Sequence, residues 1–372
     1  MDGVHTLQQQ LVEQKNKIIE SIDLHKRLVS PLWRLPTEVL SQIFCHCLLQ
    51  IPELGELEPP SKLTVPMSLT RICRRWREVV VDMPNLWRVL SVKVDDRNWQ
   101  QVAFSYDSWL KRAQGRPLWL RLQFHADDDS TKLQCLLQPY TNQIKSLSVD
   151  FYRLGTLKPN MFKGLLALEE ISMYFEEDIH ACEMPSYIVD SIISGLPSTL
   201  RSFDVSGWAL DFYDLSSCDP VWTHLTTLGI TVWQVKALLR LLQLAPNLSS
   251  LTIRIILFHS ILRALQPFTH ANLQTLHIRV SYDCDDDEET LDFCNLLDAL
   301  SLPTLRVLTV HGVPEWPHEK FKAFLARSEC SLESLIVSGS VVTDEQQAEY
   351  VALVPSFQFV PYPAPFITGF AI

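Results

Sequence analysis

The sequence predicts an α/β protein in which a helical N-terminal part is followed by an irregular solenoid of short strands and returning helices. Two observations carry the solenoid. Eight segments fit the pattern L-x-x-L-x-V, with Leu, Ile, Val, Met or Phe at the apolar places: Ile144–Val149, Leu168–Met173, Leu200–Val205, Leu225–Ile230, Leu248–Ile253, Leu273–Ile278, Leu305–Val310 and Leu332–Val337. Their starts are 24, 32, 25, 23, 25, 32 and 27 residues apart, and helix-patterned stretches lie between several of them: Val235–Leu244, Ser260–Leu265, Thr290–Leu300 and Glu319–Arg327. A strand plus a helix at this period cannot bury its apolar face alone, so neighbouring units stack into one long core. A third observation, helical spacing of apolar residues before a proline-rich break, sets the N-terminal part apart.

Along the chain, residues 5–29 hold good helix formers, with Leu7, Leu11, Ile18, Ile22 and Val29 near one stripe. Gln14 and His25 interrupt that stripe, whereas a self-associating coiled coil wants cleaner heptads. This helix is expected to lie against its own domain. After Pro31, Leu35-Pro36-Thr37-Glu38 opens an amphipathic run through Leu40, Ile43, Phe44 and Cys47. Pro36 suits a first helical turn, and Glu38 is favourable at a helix N-terminus. Residues 51–66 hold four prolines and a glycine and read as a loop. A second helix is expected from Met67 to about Val81, with Leu69, Ile72, Cys73, Trp76 and Val80 on one face. Pro117 to Phe124 alternates as a strand and can open the repeats. Tyr350 to Ile372 carries no charge, but Pro355, Pro361, Pro363 and Pro365 oppose a spanning helix. The expected role of that segment is an extended tail over the last part of the core. The resulting divisions are an N-terminal helix (1–30), a helical domain (31–92), the repeats (93–349) and the tail (350–372).

Composition narrows the function classes. A chain of 372 residues with 47% hydrophobic and 20% charged residues is an ordinary folded composition. A net charge of −11 opposes general affinity for nucleic acid or anionic membrane. Nine cysteines without framework spacing suit free thiols in a reducing compartment, and the start has no signal-peptide pattern. The expected setting is cytoplasmic or nuclear, with the sequon at Asn247-Leu248-Ser249 unglycosylated.

Residues 35–87 resemble an F-box. That family's pattern is a leucine–proline start, an isoleucine–phenylalanine pair, a Cys-Arg-x-Trp helix and a closing tryptophan. Here these are Leu35-Pro36-Thr37-Glu38-Val39-Leu40, Ile43-Phe44, Cys73-Arg74-Arg75-Trp76 and Trp87. The proline-rich stretch between the helices is longer than usual in that family. The layout, with a leading helix and a degenerate repeat tail, is similar to fungal F-box proteins. The resemblance implies docking on a Skp adaptor, and through it a cullin–RING ubiquitin ligase that directs substrates to proteasomal degradation. It places Leu35, Pro36, Leu40, Ile43 and Phe44 on the docking face or its immediate support. It places Cys73, Trp76 and Trp87 in the core that locks the helices together.

The repeats resemble leucine-rich repeats less closely, so the expected fold is an N-terminal helical F-box followed by an irregular leucine-rich-repeat-like solenoid. That family sets Asn or Cys three residues beyond the last strand leucine. The corresponding places here hold Tyr152, Glu176, Trp208, Trp233, Ile256, Ser281, Val313 and Ser340, which form no polar ladder. Alternate strand residues point to one face. On it, Asp150, Glu170 and Asp204 fall in the first three units, and Arg254, His277, Arg279 and His311 in the fifth to seventh. These seven are the candidate substrate-binding residues, aligned by a charge gradient across a Ser- and Thr-rich surface. The same Ser and Thr residues also suit a merely solvated sheet. The two longest repeats carry acidic stretches, Glu176-Glu177-Asp178 and Asp283 with Asp285 to Glu289, which are candidates to attract a basic partner segment.

Catalytic patterns are lacking. Asp283-x-Asp285-x-Asp287 has Glu288 at the turn-glycine place of a calcium loop and Cys294 at the closing-glutamate place. Cys45-His46-Cys47 has no second ligand pair at zinc spacing. No phosphate-cradling glycine loop, nucleophile elbow or RING-like cysteine series occurs. The expectation is a non-enzymatic adaptor without cofactor or metal, contacting a Skp adaptor and a protein substrate but neither nucleic acid nor membrane. The rival reading is a repeat scaffold unconnected with ubiquitin, whose first helices only cap the solenoid.

Overall fold

The computed structural model of the chain describes residues 2–29, 35–48, 65–93, 99–124, 130–152, 162, 164–175, 193, 195–210, 219–233, 235–257, 265–282 and 290–360. Helix α1 (Asp2–Val29) leads. Every side chain from Gln9 to Asp23 is exposed, Leu11, Val12, Ile18, Ile19 and Ile22 included. Over that stretch the expectation that this helix lies against its own domain is therefore corrected. From Gln9 to Asp23 the stripe, interrupted at Gln14, stays in solvent, and that stretch rests on backbone propensity and local pairs such as Glu13–Lys17 (2.9 Å).

Three helices follow: α2 (Thr37–Leu48), α3 (Val65–Thr70) and α4 (Arg74–Val81), then a 3₁₀ turn at Pro84–Trp87. The single helix expected over Met67–Val81 is broken at Arg71 to Cys73. Cys73 is extended (φ −159°, ψ 169°), and its Sγ accepts the Trp76 backbone N–H at 3.4 Å, capping a new helix. The break turns Ile72, expected on the apolar face, out to solvent.

The rest of the chain builds one open parallel sheet. Its strands are β1 (Val89–Lys93), β2 (Leu118–Phe124), β3 (Ile144–Phe151), β4 (Glu170–Phe175), β5 (Ser202–Leu210), β6 (Thr227–Val232) and β7 (Ser250–Leu257). After β8 (Phe268–Thr269) come β9 (Thr275–Tyr282), β10 (Leu300–Ser301), β11 (Val307–His311), β12 (Ser334–Ser338) and β13 (Ser356–Val360). Eleven of them form the sheet in chain order, while β8 and β10 pair separately. All eight L-x-x-L-x-V segments run into strands of this sheet, and the residue that opens each is buried. Strands β1 and β13 form the two edges; β1 was not anticipated, and β13 lies in the segment read as an extended tail. The tail beyond residue 360, and both acidic stretches, lie outside the described residues.

Between strands run α5 (Trp99–Arg112), α6 (Ser130–Leu137), α7 (Asp219–Trp222), α8 (Val235–Leu244), α9 (Thr290–Ala299), α10 (His318–Ser328) and α11 (Asp344–Leu353). The expected helices at 235–244, 290–300 and 319–327 are present within a residue at each end, and the one expected at Ser260 lies outside the described residues up to Ala264. Inward-facing side chains repeat from strand to strand. Phe124, Phe151 and Phe175, paired in register, stack with centroids 5.6 and 5.0 Å apart. Fully burying one such large apolar side chain contributes about 1.5–3 kcal/mol.

A polar ladder does exist, ahead of the strands rather than behind them. Thr199 Oγ1 donates to the carbonyls of Leu166 (3.1 Å) and Leu168 (2.8 Å). Asn247 Nδ2 donates to Thr223 O (2.8 Å) and Asn272 Nδ2 to Pro246 O (2.9 Å). Thr304 Oγ1 reaches Ala271 O (2.9 Å) and Leu273 O (3.0 Å). Each of these residues immediately precedes the first leucine of its repeat and satisfies turn carbonyls of the repeat before it.

Candidate functional site

The helical region closes around Leu40 and Phe44 of α2, both fully buried. Phe44 packs on Trp76 of α4, ring centroids 4.8 Å apart and tilted by 60°. The Arg75 guanidinium donates to the Leu35 carbonyl, tying the leucine–proline start to α4. Trp87, fully buried, donates through Nε1 to Val80 O at 2.9 Å. Its ring meets Trp109 edge-on (4.8 Å), and the Arg112 guanidinium lies 4.5 Å from its centroid. Trp87 thus joins the helices to α5 and to β1, which begins two residues later. Cys73 and Trp76 are half-buried.

The residues proposed from sequence for the docking face separate by depth. Leu40 and Phe44 point inward as support, Leu35 is half-buried, and Pro36 and Ile43 are exposed. Val39 and Ile43 stand one turn apart on the outer side of α2, at 37% and 40% exposure. Ile72 stands out at 55% in the break between α3 and α4. Sequence reasoning named neither Val39 nor Ile72 as a docking residue. Helical spacing from Ile43 would have found Val39.

Comparison with protein-family models matches residues 32–93 to the F-box-like family. The chain contains an F-box-like domain. Domains of this kind are in general non-catalytic adaptor modules that bind Skp-type adaptors. Comparison with curated proteins finds no match to the chain. Among the described residues, no helix is long and apolar enough to cross a membrane. Nor do three His, Cys, Asp or Glu side chains among them gather as a metal site.

The second candidate region is the polar face of the sheet. Strand register sets Asp204, Gly229, Thr252, His277 and Thr309 in one row across β5 to β11. The next row runs Thr231, Arg254, Arg279 and His311. All of these except Thr309 line a depression of about 430 Å³. Arg254 and Arg279 are direct neighbours in register, and His311 Nδ1 lies 2.7 Å from Ser338 Oγ. Burial pushes the His277 imidazole below its usual range. The same holds for His311, where the nearby Arg279 charge adds to burial. At the far end Asp204 lies over Gly229, and desolvation raises its carboxyl. A Cβ at Gly229 would stand 1.8 Å from Asp204 Oδ2, so the missing side chain is what leaves room for that carboxylate.

The other two candidates lie outside the depression. Glu170 is exposed on β4. Asp150 is buried and held by Arg121, whose Nε and an Nη atom both lie 2.7 Å from Oδ2, with Gln123 at 3.4 Å. Sequence reasoning missed Arg121, although alternation in the segment from Leu118 to Phe124 put it on the same face as Gln123.

Proposed function

We propose that the chain is a substrate-recognition adaptor of an SCF-type cullin–RING ubiquitin ligase, its F-box-like domain docking on a Skp adaptor and its repeats holding a protein substrate for degradation. The eight strand segments in chain order support reading the sheet as an irregular leucine-rich-repeat-like solenoid, and the setting is the cytoplasm or nucleus. One observation carries the reading. Within the F-box-like domain, Pro36, Val39, Ile43 and Ile72 remain exposed while Leu40 and Phe44 are consumed by the core. A helix that only capped the repeats would bury its apolar face against them. An outward apolar set instead suits a groove binder whose few desolvated anchors supply most of the affinity.

The test is co-purification with a Skp-type adaptor, comparing wild type with Val39→Asp/Ile43→Asp. Both positions are solvent-facing, so the variant keeps its core. Capture by wild type and loss by the variant is the expected result. Failure of the folded wild type to capture the adaptor would favour a repeat scaffold unconnected with ubiquitin.

A further inference from the structure

The polar face handles charge in two ways. At the β2–β3 end, buried Asp150 is joined at 2.7 Å to the half-buried Arg121, so their charges are consumed by the fold. In the depression between β5 and β11, among the described residues, no hydrogen bond or ion pair reaches the side chains of Asp204, Arg254 or Arg279. Two like charges side by side in register are unfavourable unless something answers them. Burial favours the neutral form of the histidines beside them, so they add little further positive charge. The Asp204 side chain, exposed on the face, has no partner among the described residues and is open to a donor. Gly229 leaves room for the Asp204 carboxylate at one end, and Thr231 and Thr252 lie between it and the arginines.

The separation of the two ends limits what fits. Arg254 and Arg279 lie two and three strands from Asp204 and one alternation further along. With strands about 4.8 Å apart and about 3.3 Å per residue, the ends are roughly 12–16 Å apart, the reach of about four residues of extended chain. We infer that this depression receives an extended segment of a protein substrate, an acidic side chain seated between Arg254 and Arg279 and a basic side chain about four residues away on Asp204. The inference rests on the reading that the repeats hold the substrate, and it names the substrate's chemistry. Two charges of opposite sign at fixed spacing select partners more sharply than a basic patch, because a purely acidic segment leaves Asp204 facing like charge.

An immobilised array tests this with the purified full-length chain. Peptides in a Gly/Ser background carry one lysine and one glutamate separated by one to eight positions, beside lysine-only, glutamate-only and uncharged controls. A further set replaces glutamate with phosphoserine. Wild type is expected to be retained best near a spacing of four, about tenfold above the uncharged control. Arg254→Gln/Arg279→Gln should abolish the preference for glutamate, and Asp204→Asn the preference for lysine alone, with unchanged thermal unfolding midpoints. Retention independent of spacing, or a preference unaltered in both variants, overturns the proposal. Stronger retention of phosphoserine at the same spacing overturns the carboxylate assignment. Capture of the Skp adaptor by the same variants is read separately. Peptide selection without adaptor capture removes the ubiquitin reading and leaves this site standing, and the reverse result removes the site alone.

Discussion

Single residues in this chain act through chains of hydrogen bonds that neither partner could make alone. Trp316 Nε1 donates to Tyr350 Oη at 2.8 Å, and that hydroxyl lies 2.6 Å from His318 Nδ1. His318 Nε2 is 3.0 Å from Glu349, which also holds Lys322 at 2.8 Å. One proton arrangement serves every atom: the tyrosine hydroxyl donates to Nδ1, and Nε2–H donates to the carboxylate. Burial pushes the Tyr350 hydroxyl up to about 12, so it keeps its proton through neutral pH. Tyr350→Phe leaves the Trp316 N–H without an acceptor, and a loss of about 1–3 kcal/mol is expected in urea unfolding. A loss below about 0.3 kcal/mol would mean the chain of bonds is not cooperative. Arg121 and Asp150 make a harsher case. Arg121→Met strands a buried carboxylate and should cost about 3–5 kcal/mol, whereas Arg121→Met/Asp150→Leu should recover most of it. Equal losses in the single and double variants would contradict that account.

At the scale of elements, four of the eight repeats are fastened to their predecessors by a polar residue just before their first leucine: Thr199, Asn247, Asn272 and Thr304. Thr304 is the clearest instance, reaching two carbonyls at once. Thr304→Val keeps the shape and removes the donor, so about 1 kcal/mol of stability should be lost, read as a lower denaturant midpoint with unchanged slope. An unchanged midpoint would assign the join to apolar packing alone. The strands were legible because their alternation and buried leucines are local in sequence. The ladder was not, since its residues precede the strands while the leucine-rich pattern directs attention beyond them. The break at Ile72 was hidden for another reason: cysteine is a weak sign of a helix cap, and periodicity ran straight through it. Strand β1 carries no repeat signature, and the Arg121–Asp150 pair depends on register between segments 29 residues apart. For the same reason sequence could place Arg254, His277, Arg279 and His311 on one face but could not separate them from Asp150, already engaged within the fold.

At the scale of the molecule, the described side chains of α1, from Gln9 to Asp23, are all exposed. Its stripe is apolar enough to suggest packing, yet Leu11, Ile18 and Ile22 are 59%, 59% and 46% exposed. Helices of globular proteins draw most of their stability from an apolar face laid on a core, and α1 lacks that source over Gln9 to Asp23. Its backbone bonds and pairs such as Glu13–Lys17 hold it locally, an exposed i,i+4 pair contributing about 0.3–0.5 kcal/mol. Removing residues 2–29 should therefore leave the cooperative unfolding midpoint of the remaining chain unchanged while reducing its helical circular-dichroism signal. The removed segment, as a peptide, should be only partly helical and gain helix on cooling. If the shortened chain instead loses more than about 1 kcal/mol, or loses capture of the Skp adaptor, α1 is part of the domain's working surface rather than an independent arm. An unchanged midpoint together with unchanged capture would place docking entirely within the F-box-like domain.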